Sequence, residues 1–216
     1  MKEKNIINKF WHFLWKDDSL LSWVTLLILA FVLIKFIIFP VLGLIMGTSH
    51  PIVAVISGSM DHRLNNNQIC GEFRDNVVGD YSNNFDDWWH ICGGWYEEKD
   101  ISKESFEKFP LKNGFRRGDI IVLKGKKPEV INRGDIIVFR ASNRGDPIIH
   151  RVVDINYENE RYYFQAKGDH NPDSNSGIGE NKISQDNIIG VSLFKIPLLG
   201  YVKIVFVETL QKLLNK

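Results

Sequence analysis

Between Leu20 and Met46 the chain runs for 27 residues with Lys35 as its one charge. Wound as an α-helix, this run (LLSWVTLLILAFVLIKFIIFPVLGLIM) reaches about 40 Å at about 1.5 Å per residue, against a hydrocarbon layer of about 30 Å. A helix packed into a soluble core keeps a polar stripe, and this one keeps none. A cleaved signal peptide has an apolar region of about 7–15 residues and a small-residue A-x-A-like site, and the run fits neither. It therefore reads as a retained membrane span, which Pro40 and Gly43 are expected to end or bend near its far side.

The basic residues beside the span orient it. Lys2, Lys4, Lys9 and Lys16 precede it, whereas residues 47–66 hold Arg63 alone. The positive-inside rule then puts the N-terminus in the cytoplasm and the remaining chain on the extracytoplasmic face of the cell membrane. Phe10, Trp11, Phe13, Leu14 and Trp15 give residues 1–19 the look of an amphipathic lead-in lying along the cytoplasmic interface.

Outside the span the composition changes. Over the whole chain 27 Lys and Arg nearly cancel 26 Asp and Glu, leaving a formal charge of +1, which argues against a nucleic-acid binder working through a basic surface. Residues 47–200 read as a mainly β domain. PIVAVISGSM (51–60) is a short strand running into a small-residue turn. RGDIIVLKG (117–125) and RGDIIVFRA (133–141) are near-copies, each a Gly-Asp turn feeding a β-branched run. PIIHRVVDI (147–155), RYYFQAKGD (161–169) and IIGVSLFKI (188–196) add three more strands. The third Arg-Gly-Asp, at 144–146, is read as another copy of the same turn device rather than as an adhesion signal. Residues 61–116 are rich in Asn, Asp, Gly and Trp without clear periodicity, and read as an inserted cap with a helix near 102–109. Residues 201–216 read as a C-terminal amphipathic helix lying on the membrane.

Three segments carry groups able to do chemistry: Ser57-Gly58-Ser59-Met60, Ile149-His150-Arg151-Val152 and Lys167-Gly168-Asp169-His170-Asn171-Pro172-Asp173. A serine hydroxyl needs a base to take its proton. A histidine titrates in the right range, and a carboxylate fixes the histidine's tautomer. Here the serine ends a strand, the histidine lies within one, and the acids follow a third, so one rim of a sheet can gather all three. A rival reading places Asp169, Asn171, Asp173 and Glu180 at calcium-loop spacing, but Ser174 stands where the tight turn needs glycine. Cys70 and Cys92 both fall in the insert, where an oxidising exterior permits a disulfide. A zinc site joining them to His90 lacks a recognisable spacing.

The order of these pieces (span, S-G-S-M, R-G-D-I-I-V, P-I-I-H-R-V-V, K-G-D-x-N) resembles type I signal peptidase. The histidine, where most bacterial members have a lysine, resembles the archaeal and endoplasmic-reticulum branch of peptidase family S26 and argues against the serine–lysine self-cleaving proteases. Phe85 to Trp89 resembles an insertion found in some archaeal members.

The resemblance implies a signal-peptidase-like β fold on a membrane anchor. It also implies a serine endopeptidase that removes signal peptides from secreted and membrane pre-proteins, with Ser59 as nucleophile and His150 as general base. Ser57 is expected at the oxyanion and Met60 on a hydrophobic cleft wall. Family members place the catalytic acid about six residues after the K-G-D aspartate, where this chain has Asn175. Asp173 is then expected as the triad acid and Asp169 as its support. No cofactor or metal is expected. The partners implied are pre-proteins, the bilayer, and the export channel or accessory subunits, without nucleic acid. The alternative function is a non-catalytic membrane-anchored β-domain serving as an assembly or binding subunit.

Overall fold

The computed structural model describes residues 2–65, 67–73, 84–141 and 143–201, and the chain divides into two compact units, Met1–Ile45 and Met46–Lys216. In the first unit, helix α1 (Lys2–Lys16) is followed by α2 (Leu20–Leu33), a π-helical turn (Ile34–Ile38) and α3 (Phe39–Met46). Ser19 caps α2 by accepting the Ser22 N–H. The apolar run is helical throughout, and most of its large side chains from Leu20 to Ile45 stand exposed, as lipid-facing residues would. Pro40 does not end it. A proline removes a donor and its ring presses on the carbonyl four residues back, and the wider π turn just ahead of Pro40 absorbs that conflict.

The second unit is mainly β. Strands β1 (Ile52–Ala54), β4 (Ile120–Lys124), β5 (Ile136–Phe139), β6 (Ile148–Glu158), β7 (Arg161–Lys167), β8 (Ile183–Ser184) and β9 (Ile188–Ile196) form one antiparallel sheet in the order β1-β4-β9-β5-β6-β7-β8. The ribbon β2 (Gln68–Ile69) with β3 (Glu72–Phe73) lies apart from it. Register shifts at Val122/Leu123, Val138/Phe139 and Val152/Asp154 break the ladder, and such bulges curl a sheet by raising local twist.

The first two Arg-Gly-Asp copies are one turn built twice. Gly118 and Gly134 share a φ of 91°, in the left-handed region that favours glycine. The following aspartates, Asp119 and Asp135, accept backbone N–H groups from Arg116 and Asn132, each at 3.1 Å, before β4 and β5 begin. The third copy, Arg144 to Asp146, does not share this device and sits in an exposed loop ahead of β6.

The described part of the insert from residue 84 onward is more ordered than its composition predicts. Helix α4 (Phe85–Glu97), capped by Asn84, and the short α5 (Lys103–Phe106) pack Trp88, Trp89, Tyr96, Ile101 and Phe106 into an aromatic core closed by Val153 of β6. Because that core covers one side of β6, residues His150 to Val153 are all buried and the usual in-out alternation is lost. The amphipathic helix expected at 201–216 falls, beyond Tyr201, outside the described residues.

Candidate active site

β1 keeps pairing past its end, with the Val55 N–H donating to the Asp119 carbonyl and the Gly118 N–H to that of Val55. The chain then turns sharply. The Asp61 N–H reaches the Gly58 carbonyl at 2.9 Å, placing Ser59 and Met60 at the centre of the turn with Ser59 half-exposed. β6 supplies the other principal groups. Neighbouring residues on a strand point to opposite faces, so His150 and Arg151 serve two different environments.

On one face, His150 Nε2 lies 2.8 Å from Ser59 Oγ, and His150 Nδ1 is hydrogen-bonded to Glu180 Oε1. The histidine is 4% exposed and the glutamate fully buried. An ionised carboxylate offers acceptors only, so Nδ1 carries the ring proton and Nε2 presents its lone pair to the serine hydroxyl. Ser57 Oγ stands 3.2 Å from Ser59 Oγ. Behind the pair runs the Lys167-Gly168-Asp169 segment. A Cβ at Gly168 would lie 2.8 Å from both His150 Nε2 and the Ser59 carbonyl oxygen, so this close approach requires glycine. The same Ser59 carbonyl accepts the His170 N–H at 2.9 Å.

On the opposite face, Arg151 is fully buried and grips Asp169 through Nε at 3.0 Å and Nη2 at 2.8 Å. Tyr96 OH donates to Asp169 Oδ1, and His62 Nε2 meets Asp169 Oδ2 at 2.9 Å while stacking on Trp88. Burial raises the Asp169 carboxyl. The Arg151 charge and the hydrogen bonds from His62 and Arg151 outweigh that and hold it well below the usual carboxylate range. Burial likewise lowers His62, with Asp169 opposing, and raises the Tyr96 hydroxyl. Lys167, also fully buried, is brought down to about 8 by desolvation, against the pull of Asp169, Asp173 and Glu180.

The expected acid is where sequence and structure part. Asp173 is exposed and accepts from Trp95 Nε1 and the Ser174 N–H, while Glu180, eleven positions after Asp169, takes the place beside His150. The Asx turn at Asn175 and the 3-10 turn Ser176–Ile178 fold the loop back, and the Asn175 N–H secures the second Glu180 oxygen. Asp169 supports Arg151 rather than the histidine. Met60, expected on a cleft wall, is 1% exposed and packs into the core with Val55, Phe115 and Ile121, its sulfur accepting the Asp169 N–H. These same contacts disperse the calcium-loop reading, since its first and last carboxylates serve opposite faces of β6. Cys70 and Cys92 are joined as a disulfide, and no group of three or more His, Cys, Asp or Glu among the described residues is arranged to hold a metal ion.

No protein-family model matches the chain. Curated relatives do. The signal peptidase complex catalytic subunit SEC11C of Homo sapiens, like that of Canis lupus familiaris, is 30% identical over 99 residues, 44% of this chain and 52% of theirs. The signal peptidase complex catalytic subunit SEC11 of Scheffersomyces stipitis is 31% identical over 102 residues, 45% of this chain and 61% of its own. The chain thus spans about half the length of the curated relatives it matches.

Proposed function

We propose that this homologue of signal peptidase catalytic subunits is a membrane-anchored serine endopeptidase that cleaves N-terminal signal peptides from pre-proteins. The observation that carries the reading is the Ser59–His150–Glu180 line, nucleophile to base to orienting acid, with hydrogen-bond contact at both joints. In this mechanism Ser59 Oγ attacks the scissile carbonyl while His150 Nε2 takes its proton. The imidazolium then protonates the leaving amine, and water repeats the sequence on the acyl-enzyme. Glu180 holds the proton on Nδ1 and stabilises the imidazolium. The Ser59 N–H and the Ser57 hydroxyl serve the oxyanion, and one such donor is worth about 3–4 kcal/mol in the transition state.

Among the described residues β1 is an outermost strand of the sheet with no strand on its outer edge, which suits an extended substrate adding as a strand. Four lysines ahead of the span and a disulfide in the β unit both favour a cytoplasmic N-terminus and an active site on the oxidising, extracytoplasmic side. There a pre-protein tethered by its own apolar segment meets the enzyme at raised effective concentration. The histidine base aligns the chain with the serine–histidine branch of the peptidases, and the relatives' place in complexes suggests accessory subunits as partners. The test is cleavage of a reporter pre-protein in liposomes. Wild type is expected to cut at one site, and Ser59→Ala to lose at least about a thousandfold in rate. Full cleavage by Ser59→Ala would refute a serine mechanism.

A further inference from the structure

Lys167 is a fully buried cation that takes no part in the mechanism above, yet it adjoins Gly168, where any Cβ would crowd both His150 and the Ser59 carbonyl. Its ammonium lies 5.1 Å from the Trp95 ring centroid and 4.9 Å from that of Tyr96, and donates to the Gly168 carbonyl at 3.1 Å. Both rings come from the last turn of α4, in the insert. A cation held over aromatic faces is attracted by their quadrupoles, more strongly when water is excluded.

The same helix holds the segment from residue 167 to 173 directly at two further points, and through its disulfide to Cys70 at two more. Trp95 Nε1 donates to Asp173 at 3.0 Å, and Tyr96 OH to Asp169 at 3.0 Å. Cys92 is tied to Cys70, whose N–H donates to the His170 carbonyl and whose Sγ lies 3.3 Å from that of Asp169. The segment is a single strand thick. Its other side carries Gly168, whose missing Cβ leaves the room that His150 occupies, and the His170 N–H bond to Ser59. Whatever fixes it on the insert side therefore fixes the spacing of serine and histidine.

We propose that Trp95 and Tyr96 are positioning residues of the peptidase, which clamp Lys167 so that Gly168 and His170 seat His150 against Ser59. The insert is thus a working part of the site and not a cap beside it. This rests on the peptidase reading, and the test separates the two. Trp95 is half-exposed, so its replacement leaves the aromatic core of Trp88, Trp89 and Phe106 in place.

The experiment compares full-length wild type, Trp95→Leu and Trp95→Phe on a reporter pre-protein in detergent micelles, alongside amide hydrogen exchange at His170 and thermal unfolding. Trp95→Leu loses the ring over the ammonium, and kcat is expected to fall about tenfold with KM changed by less than about twofold. His170 exchange speeds up while the unfolding midpoint stays within a few degrees. Trp95→Phe keeps a ring and is expected to retain kcat within about threefold and slow His170 exchange. Wild-type kcat and unchanged exchange in Trp95→Leu overturn the proposal. So does a loss of kcat that tracks the unfolding midpoint and is not rescued by phenylalanine. If wild type itself fails to cut, the peptidase reading falls, and His170 exchange in the two variants alone decides whether the clamp exists.

Discussion

His150 and Arg151 are neighbours in one strand, each pairs with a buried carboxylate, and the two pairs do opposite work. Arg151 is a permanent cation surrounded by acceptors, the Asp169 carboxylate and the carbonyls of Pro110, Leu111 and Gly134. Every N–H of its guanidinium is engaged, and the side chain is fully buried. His150 instead meets a carboxylate on Nδ1 and a hydroxyl on Nε2, and the hydroxyl belongs to a half-exposed turn. The difference teaches that acidity near a site is not by itself catalytic. Asp169 is engaged by Arg151, Tyr96 and His62, and neither nitrogen of His150, the ring that faces Ser59, reaches it.

Breaking the Arg151 side should cost stability before chemistry. Asp169→Asn leaves a buried guanidinium without its counter-charge, and unfolding by denaturant should show a loss of about 3–5 kcal/mol at neutral pH. The sign with pH follows from the depressed carboxyl. The stability Asp169 contributes is present above the unfolded-state value near 4 and is lost on acidification below it, so the wild-type and Asp169→Asn curves should converge in acid. Reducing the disulfide removes a closure across 22 residues, and about 3 kcal/mol of stability is expected to go with it, read as a denaturation midpoint with and without reductant.

Lys167 sharpens the comparison on the alkaline side. Its folded-state value of about 8 lies below the ordinary lysine range, so between about pH 8 and 10.5 the unfolded chain binds more protons and stability rises with pH. Lys167→Met should remove about 3 kcal/mol of that rise, measured as the difference between the two stability-versus-pH curves. The smallest effect belongs to the acid that the spacing favoured. Asp173→Asn is exposed and should keep kcat within about twofold and stability within about 0.5 kcal/mol.

What was legible in the sequence was the periodic part. The apolar run and the main strand segments lie where hydropathy and β-branched residues put them, and the repeated Gly-Asp turn recurs at Gly118 and Gly134 because both need the left-handed conformation. Ser59 and His150 were legible as a resemblance, and their contact required the fold. Helix α4 was hidden because its sequence, FDDWWHICGGWYE, holds two adjacent glycines and three tryptophans, poor formers stabilised here by tertiary packing and a cap at Asn84. Glu180 was hidden for a different reason. Its distance from His150 is set by a loop that doubles back through Asn175, and loop closure leaves no period in a sequence. Its one visible signal was a place at the end of a calcium-like spacing, which pointed to the wrong chemistry.

The division of labour between the two acids is tested most directly by the single-turnover rate of Glu180→Gln on a reporter pre-protein, with the ¹⁵N spectrum of His150 recorded on the same sample. A glutamine amide donates to Nδ1 and drives the proton to Nε2, where it can no longer accept from Ser59. The rate is expected to fall by about 10³–10⁴, with the ring proton moved to Nε2 and the unfolding midpoint little changed. A rate within about tenfold of wild type, with Nδ1 still protonated, would contradict that division of labour.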